Sequence, residues 1–329
     1  MPSEPELWPA EAPDAVPIPG ARGVVLGGAT LMVGTCSWTD PTLTKQTDWY
    51  PKRSMSAAER LRYYAGQFPL VEADVTYYRP PSRELARSWA ERVPDGFCFD
   101  IKAYGLLTGH PVGPVTLWPD IREQLAPDAA GKRRVYSSHL PPEALEESWA
   151  RFVDALAPLR EGGRLGAVLF QYPPWFVPRR SNRDELAKLP GRLDGARGCV
   201  ELRSPKWWQD DERARTLALL ADLGLAVVVV DAPPVSGLPT VLASTTDDLA
   251  VVRFHGRADS TWGSRNVTAA ERFRYLYSQA ELEEWAGRAR RLAQMASRVH
   301  LLMNNCYQDY GVRNAAQLAA LLSGEADDG

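Results

Sequence analysis

Eight short apolar runs recur along the chain from residue 31 onward, and helical patterns separate most of them. The runs are residues 31–38, 70–78, 97–104, 165–173, 199–204, 225–233, 249–257 and 299–306. Continuous apolar runs of this length are typical of strands that are buried on both faces of a parallel sheet. Eight is the strand number at which such a sheet closes around an interior filled by side chains. The pattern therefore predicts an α/β fold, a (β/α)8 barrel.

Capping signals locate several of the intervening helices. Ser56 with Glu59, and again Ser278 with Glu281, have the spacing of a capping box. Each box predicts that a helix begins directly after its serine. Near the end of the chain, we expect Asn314 to begin a last short helix.

Two segments depart from a regular alternation of strands and helices. Residues 234–248 offer little helical pattern, so the sixth helix is predicted to be reduced or absent. Residues 105–142 form a long insertion after the third strand, and loops of that length are usually functional or mobile. An open doubly wound sheet is the main competing fold, but no GxGxxG sequence follows the first strand. The barrel therefore stays the favoured architecture.

The termini differ in composition from the rest of the chain. Residues 1–20 hold six prolines and four acidic residues, a composition that buries too little apolar surface to offset its ordering entropy. We therefore expect a flexible tail over residues 1–30 and a single barrel domain over residues 31–322. A second short flexible tail is expected over residues 323–329.

Composition and charge exclude several classes of protein. With 45% hydrophobic and 24% charged residues and a net charge of −3, the chain has no overall attraction to nucleic acid or anionic membranes. No apolar stretch approaches the roughly 20 residues that a membrane span needs. Four scattered cysteines without a CxxC pair indicate reduced thiols, so we expect a cytoplasmic protein. The oligomeric state stays open.

The candidate site follows from the barrel itself, because such barrels place their sites at the C-terminal ends of the strands. Polar or ionisable residues stand at those ends: Glu72, Asp74, Tyr78, Lys102, His110, Gln171, Glu201, Arg203, Asp231, Arg253, His255, Arg257, Asn304 and Asn305. Buried charges are costly unless they are paired, so these carboxylates and cations are expected to neutralise one another across the barrel mouth. The pattern predicts a polar pocket there.

Seven segments carry a resemblance to a known family. They are "VGTCSW" (33–38), "VEADVTYYRPPS" (71–82), "LFQYPP" (169–174), "VELRS..WW" (200–208), "RFHGR" (253–257), "RYLYS..EL..W" (274–285) and "NNC......NA" (304–315). In this order they resemble the YecE-like family, domain of unknown function 72, over nearly the whole chain. The resemblance implies a TIM-like barrel, in agreement with the strand count. It implies no established reaction.

The favoured hypothesis is an enzyme that binds an anion and needs no cofactor. Candidate cations for a phosphate or carboxylate are Lys102, Arg203, Arg253, His255 and Arg257. Glu72 or Glu201 would serve as general acid or base, with His255 as a proton shuttle near neutral pH. That describes a hydrolase, lyase or isomerase acting on a phosphorylated or acidic small molecule. Within it, we expect Arg253 to pair with Glu201 or Asp231, while His255 and Arg257 face the ligand.

Two alternatives belong to other classes. A divalent metal held by Glu72, Glu201, Asp231 and His255 would make a phosphoesterase-like or nuclease-like barrel. No HxH or HExxH motif occurs and arginines crowd the same strands, so no metal is expected. A non-enzymatic binder of single-stranded nucleic acid could use the segment 132–136 and Trp262 beside Arg265. The acidic chain disfavours that partner.

Overall fold

The computed structural model describes residues 22–129, 131–259, 262 and 269–324. Within these ranges the strands are β1 Val24–Leu26, β2 Ala29–Cys36, β3 Leu70–Ala73, β4 Cys98–Lys102, β5 Leu165–Tyr172, β6 Gly198–Leu202, β7 Ala226–Asp231, β8 Ala250–Phe254 and β9 Arg298–Met303. The α-helices are α1 Pro41–Gln46, α2 Ala57–Ala65, α3 Arg83–Ala90, α4 Pro119–Arg122, α5 Pro142–Ala155, α6 Ala157–Glu161, α7 Arg180–Arg192, α8 Asp210–Asp222, α9 Ala269–Arg272, α10 Gln279–Leu292 and α11 Tyr310–Ser323.

Strands β2 to β9 form a closed parallel barrel. Each pairs with the next in chain order, and β9 returns to pair with β2 over residues 30–35. The strands are buried on both faces because one face packs into the barrel and the other against the helices; all six residues of β7 are buried. The predicted α/β, TIM-like (β/α)8 barrel is therefore confirmed, and the open sheet is excluded by the β2–β9 pairing.

An antiparallel strand precedes the barrel. Strand β1 pairs with β2 through a two-residue turn in which Gly27 and Gly28 have φ of 57° and 90°. Positive φ at both turn positions is the geometry that favours a tight hairpin, and glycine adopts it without a steric penalty. The ordered fold thus begins inside the predicted tail 1–30, so the boundary at residue 31 was placed too late. Residues 1–21 and 325–329 of the predicted tails lie outside the described residues.

The two irregular segments take different forms. Residues 232–249 are all described and contain no α-helix, only a 3-10 turn at Pro234–Ser236, which agrees with the predicted loss of the sixth helix. The predicted insertion 105–142 packs on the outside of the barrel through short turns and α4. Its residues Leu106, Ile121 and Val135 are fully buried. The insertion therefore contributes to the core.

Local side-chain chemistry explains where the predicted element bounds were right and wrong. Both capping boxes are present, at Ser56 before α2 and at Ser278 before α10. The predicted strand 70–78 ends at Ala73, because the Thr76 hydroxyl donates to a nearby carbonyl and residues 74–77 form a 3-10 turn. Asn314 does not begin α11; that helix begins four residues earlier, at Tyr310.

Candidate functional site

A buried ion network occupies the barrel interior near the C-terminal ends of the strands. Arg253 on β8 donates from Nε and Nη2 to the two carboxylate oxygens of Glu72 on β3, at 2.8 and 2.7 Å. Its Nη1 donates to Glu201 on β6 at 2.6 Å. All three side chains are 0–1% exposed. The predicted pairing of Arg253 with Glu201 is therefore observed, and Glu72 is a second partner.

A second group of side chains lies on this network, one step closer to the barrel mouth. Arg203 Nε donates to Glu201, and Arg203 Nη2 lies 3.3 Å from Gln171 Oε1 and 3.0 Å from His255 Nε2. Asn304 Nδ2 lies 2.7 Å from His255 Nδ1. The strands therefore bring together eight of the fourteen polar residues predicted at the strand ends: Glu72, Lys102, Gln171, Glu201, Arg203, Arg253, His255 and Asn304.

The protonation states of this network are fixed by its charges. Burial alone would raise the pKa of Glu201, but Arg203 and Arg253 outweigh it and hold that pKa well below its usual range. Burial, followed by the charge of Arg203, lowers the pKa of His255 to about 3. His255 is consequently neutral near pH 7. Its Nε2 lies 3.0 Å from Arg203 Nη2 and 3.3 Å from a carboxylate oxygen of Glu201, and its Nδ1 lies 2.7 Å from Asn304 Nδ2.

An open cavity of about 1040 Å³ lies above the network. Six strands contribute to its wall at or just beyond their C-terminal ends, through Ser37, Asp74, Lys102, Gln171, Arg203 and Asn304. Tyr78 and Trp262 also line it, together with residues that were not named from the sequence, among them Asp40, Gln46, Tyr77, Glu271, Arg272, Phe273, Cys306 and Tyr307. Glu72, Glu201, Arg253 and His255 are not part of this lining, since they lie beneath it. The deep ion network thus supports the residues that a ligand would touch.

Lys102 differs from Arg203 and Arg253, the other two cations of the cavity floor, which both form ion pairs with carboxylates. Its Nζ lies 4.7 Å from the ring centroid of Tyr77, and no carboxylate of the described residues lies within ion-pairing distance. Burial and the nearby charge of Arg253 lower the pKa of Lys102, against the attraction of Glu72.

Asp74 lies in the same cavity, in the turn after β3. Burial and the charge of Glu72 raise the pKa of Asp74 to about 6, although Lys102 works in the opposite direction. An acid whose pKa lies near neutrality can both donate and accept a proton at physiological pH. Asp74 and Lys102 therefore both line the cavity, each with a shifted pKa.

Asp231 and Arg257 face away from the cavity, contrary to the predicted ligand-binding role. Val230 is the β7 residue in register with the inward-facing Arg253, so the next residue, Asp231, points outward. Gly256, with φ of 83°, then turns the chain so that Arg257 Nε lies 3.1 and 3.0 Å from the two carboxylate oxygens of Asp231. This pair joins the barrel to α10 through Glu281.

Asn305 and His110 also lie outside the cavity lining. Asn305 is fully buried on the outer side of the barrel, where its amide donates to the carbonyl of Tyr275 and to Asn314. His110 is 9% exposed, and its Nδ1 lies 2.9 Å from the Thr108 hydroxyl. The structure therefore gives Asn305 a packing role and places His110 one layer behind the cavity, against Tyr77.

A second polar cluster, which the sequence pattern did not predict, lies deeper in the barrel. His300 on β9 lies 2.9 Å from a carboxylate oxygen of Asp100 on β4, and Cys98 lies beside them. Gly166 leaves the room for this cluster, because a Cβ there would lie 2.4 to 2.9 Å from atoms of all three residues. Burial opposes the charge of His300, but Asp100 outweighs it and raises the pKa of His300 to about 10. His300 and Asn304 lie an even number of residues apart, so their side chains point to the same face of the barrel wall. This spacing could have revealed His300 from the sequence.

The four donors of the alternative metal hypothesis do not form a ligand set. The Arg253 guanidinium lies between Glu72 and Glu201, where a metal bound to both would have to be. Asp231 is on the other face of the barrel wall, paired with Arg257. Among the described residues, the group with suitable spacing is instead Cys98, Asp100 and His300.

These features define the class of protein: a TIM-like barrel with a buried ion network and an open polar cavity at the C-terminal ends of its strands. The chain belongs to the family described as "Protein of unknown function DUF72", whose sequence profile matches residues 32–328. The resemblance found in the sequence motifs is thereby confirmed. Within the described ranges, no helix has the length and apolar character that a bilayer span requires.

Relatives of known sequence or structure cover most of the chain. The UPF0759 protein YunF of Bacillus subtilis (strain 168) is 28% identical over 298 residues, which is 89% of this chain and 94% of YunF. A crystal structure of a DUF72 family protein (TM1631) from Thermotoga maritima MSB8 has a TM-score of 0.68 at 27% identity, covering 89% of this chain and 98% of that one. Another, EF0366 from Enterococcus faecalis V583, has a TM-score of 0.72 at 24% identity, covering 89% and 95%. The similarity of this chain to EF0366 supports the barrel fold.

Proposed function

We propose that this protein is an enzyme that performs acid–base chemistry on a small phosphorylated or carboxylated molecule in the cavity above the ion network. The observation that carries the proposal is the charge of the cavity floor. Three cations, Lys102, Arg203 and Arg253, face two network carboxylates, Glu72 and Glu201. Below about pH 6, where Asp74 is protonated, these five groups carry one net positive charge, which a ligand anion would neutralise.

Arg203 is positioned to contact such an anion. Its Nε and Nη2 are held by Glu201, Gln171 and His255, whereas Nη1 has no acceptor among the described residues and Arg203 lines the cavity. A guanidinium held rigidly on two of its nitrogens presents the third in a fixed direction and loses little side-chain entropy on binding. Lys102 supplies a second cation on the same floor.

The acid–base step is assigned to Asp74 and Lys102. This differs from the sequence-based hypothesis, which gave it to Glu72, Glu201 and His255. Glu72 and Glu201 are held by Arg253, and a histidine with a pKa of about 3 does not exchange protons near neutral pH. Glu201 and His255 instead orient Arg203, and Glu72 holds Arg253 in place. The reaction class stays at hydrolase, lyase or isomerase.

The nucleic-acid alternative receives less support from the contacts of its basic segment. Lys132 is paired with Asp128 at 3.0 Å, and Arg134 donates to the Pro111 carbonyl at 3.2 Å. Trp262 lies over Arg203 at 5.6 Å, next to the proposed anion site; Arg265 lies outside the described residues. The four cysteines are free thiols, which supports the expected cytoplasmic setting.

Calorimetric binding of inorganic phosphate tests the anion site. The wild-type protein should bind phosphate, and Lys102→Met should weaken binding at least tenfold. The matched control is Lys206→Met, which removes an exposed lysine outside the cavity lining and should bind as the wild type does. Equal phosphate affinity in all three proteins would overturn the proposed site.

A mixture of phosphorylated and carboxylated metabolites tests the chemistry. Mass spectrometry should show at least one compound consumed by the wild-type protein and left unchanged by Asp74→Asn. Turnover that is unaffected by Asp74→Asn would contradict the assigned acid–base pair, even if phosphate binding is intact.

A further inference from the structure

Lys102 differs from every other lysine of the chain. The sequence contains six lysines, and Lys45, Lys52, Lys132, Lys188 and Lys206 are all exposed on the surface. Lys102 lies at the end of β4, inside the barrel wall, and its amine opens onto the cavity. Glu72 and Glu201 are ion-paired with arginines, so the acidic residue left to balance Lys102 on the cavity floor is Asp74.

The surroundings of the Lys102 amine keep it reactive. An ammonium group that is buried without a carboxylate partner releases its proton more readily, and the neutral amine is the nucleophilic form. Burial and Arg253 act in this direction on Lys102. The Tyr77 ring, whose centroid lies 4.7 Å from Nζ, restricts the side chain on one side, and Lys102 lines the open cavity.

We propose that Lys102 is a catalytic nucleophile that forms an imine with the carbonyl carbon of an anionic aldehyde or ketone. This inference rests on the proposed function, whose substrate class it narrows. The Lys102 nitrogen adds to the carbonyl carbon, and the carbonyl oxygen then leaves as water with the two hydrogens of the amine. A C=N bond has replaced the C=O bond, with no oxidation or reduction.

Asp74 supplies the proton transfers that this condensation needs. In its protonated form it donates to the oxygen that departs, and in its ionised form it accepts a proton from the nitrogen. A carboxyl group with a pKa of about 6 is present in both forms near neutral pH. The protonated imine withdraws electrons from the neighbouring carbon, so a bond to that carbon can be cleaved or a proton removed from it. Of the three open reaction classes, lyase and isomerase fit this step.

Reductive trapping with pyridoxal 5′-phosphate, a phosphorylated aldehyde, tests the inference. The full-length protein is incubated at pH 7 with one equivalent of the aldehyde and then reduced with borohydride, and the label is located by peptide mass spectrometry. We expect the label at Lys102 in preference to the five exposed lysines, although Lys102 is the least exposed. Lys102→Arg, which keeps the charge, should lose this label, whereas Lys206→Arg should keep it.

The outcomes separate the two proposals. Label that is spread over the exposed lysines with Lys102 unmodified, in protein that still binds inorganic phosphate, would overturn the imine and leave the anion site standing. If excess phosphate does not lower the amount of label at Lys102, the result would support the nucleophile and contradict the anion site. Label at Lys102 that phosphate suppresses would support both.

Discussion

Glu72 and Arg253 lie 181 residues apart in the chain, yet both carboxylate oxygens of Glu72 accept hydrogen bonds from one guanidinium, at 2.8 and 2.7 Å. Both side chains are essentially excluded from water. A bidentate pair in such surroundings is strong only while it is complete, because removal of either partner leaves a buried charge uncompensated. The pair is therefore a sensitive point for the stability of the whole barrel.

The first prediction concerns Arg253. Arg253→Ala should lower the free energy of unfolding by roughly 3–5 kcal/mol, because it leaves Glu72 and Glu201 buried without their shared cation. Urea denaturation measures this. The matched control is Arg53→Ala, which breaks an ion pair whose side chains are 67% and 89% exposed. That change should cost less than about 1 kcal/mol. Similar losses in the two variants would show that the buried network does not stabilise the fold.

His255 should contribute a stability that is lost in acid. The pKa of His255 is lowered from 6.5 to about 3 in the folded protein, so folding favours the neutral ring. This contribution is fully present above pH 6.5 and disappears as the pH falls from 6.5 toward 3. Replacing His255 by Gln should make the unfolding free energy less dependent on pH in that window. It should also lower stability at pH 7 by roughly 1–3 kcal/mol, since Asn304 and Glu201 lose a buried partner.

The sequence pattern predicts instead that His255 faces the ligand, so that its removal would affect binding rather than stability. Its 1% exposure and its contacts with Asn304 and Glu201 predict the opposite. An unchanged melting temperature for His255→Gln, together with lost phosphate binding, would restore that expectation.

His300 should show the reverse pH dependence. Its pKa rises from 6.5 to about 10 in the folded protein, so the charged ring is favoured by folding. The resulting stability is complete below pH 6.5 and is lost as the pH rises toward 10. Nuclear magnetic resonance titration of the ring protons should show His300 still charged at pH 8. In Asp100→Asn the ring should be neutral at that pH, and the protein should be roughly 3–5 kcal/mol less stable at pH 6. A neutral His300 in the wild type at pH 8 would refute the buried pair.

Asp74 should control anion binding through its own charge. Sulfate is a suitable probe because its charge does not change between pH 5 and 8. As Asp74 ionises around pH 6, its negative charge should weaken sulfate binding roughly fivefold to tenfold, or about 1–1.4 kcal/mol of like-charge repulsion. Calorimetry across this range should show the decline in the wild type and its absence in Asp74→Asn. A decline of equal size in both proteins would assign it to another group.

Strand count and strand parity were predictable from the sequence because both reflect burial. A strand that is covered on both faces is continuously apolar, so the eight apolar runs predicted the eight strands of the barrel. Within a strand, successive side chains alternate between the two faces, which is why Arg253 and His255 both point inward. The same parity relates His300 to Asn304, and there it was not applied.

Prediction failed where the chain leaves the strand. Asp74 lines the cavity from a 3-10 turn rather than from the predicted strand, because a threonine hydroxyl competes for the local carbonyl groups. Arg257 follows a glycine with positive φ that redirects it to Asp231 on the outer wall. Such turns depend on a few side-chain contacts and on backbone conformation, neither of which a hydrophobic pattern contains. That Lys102 has no carboxylate within ion-pairing distance in the described part of the chain likewise depends on the positions of its neighbours, which the sequence does not contain.

The residues of the ion network come from strands that are far apart in the chain, and this affects how the chain folds. Glu72 is on β3, Glu201 on β6 and Arg253 on β8, so a chain synthesised only as far as β7 contains both carboxylates without Arg253. Glu201 would still have Arg203, but a partial barrel at that stage would bury the charge of Glu72 without its cation, and water would be retained in the interior. The arrival of β8 removes this penalty while β9 closes the ring against β2. Folding is thereby made more cooperative, since incomplete barrels are selectively destabilised and the cavity floor acquires its charge pattern only in the closed form.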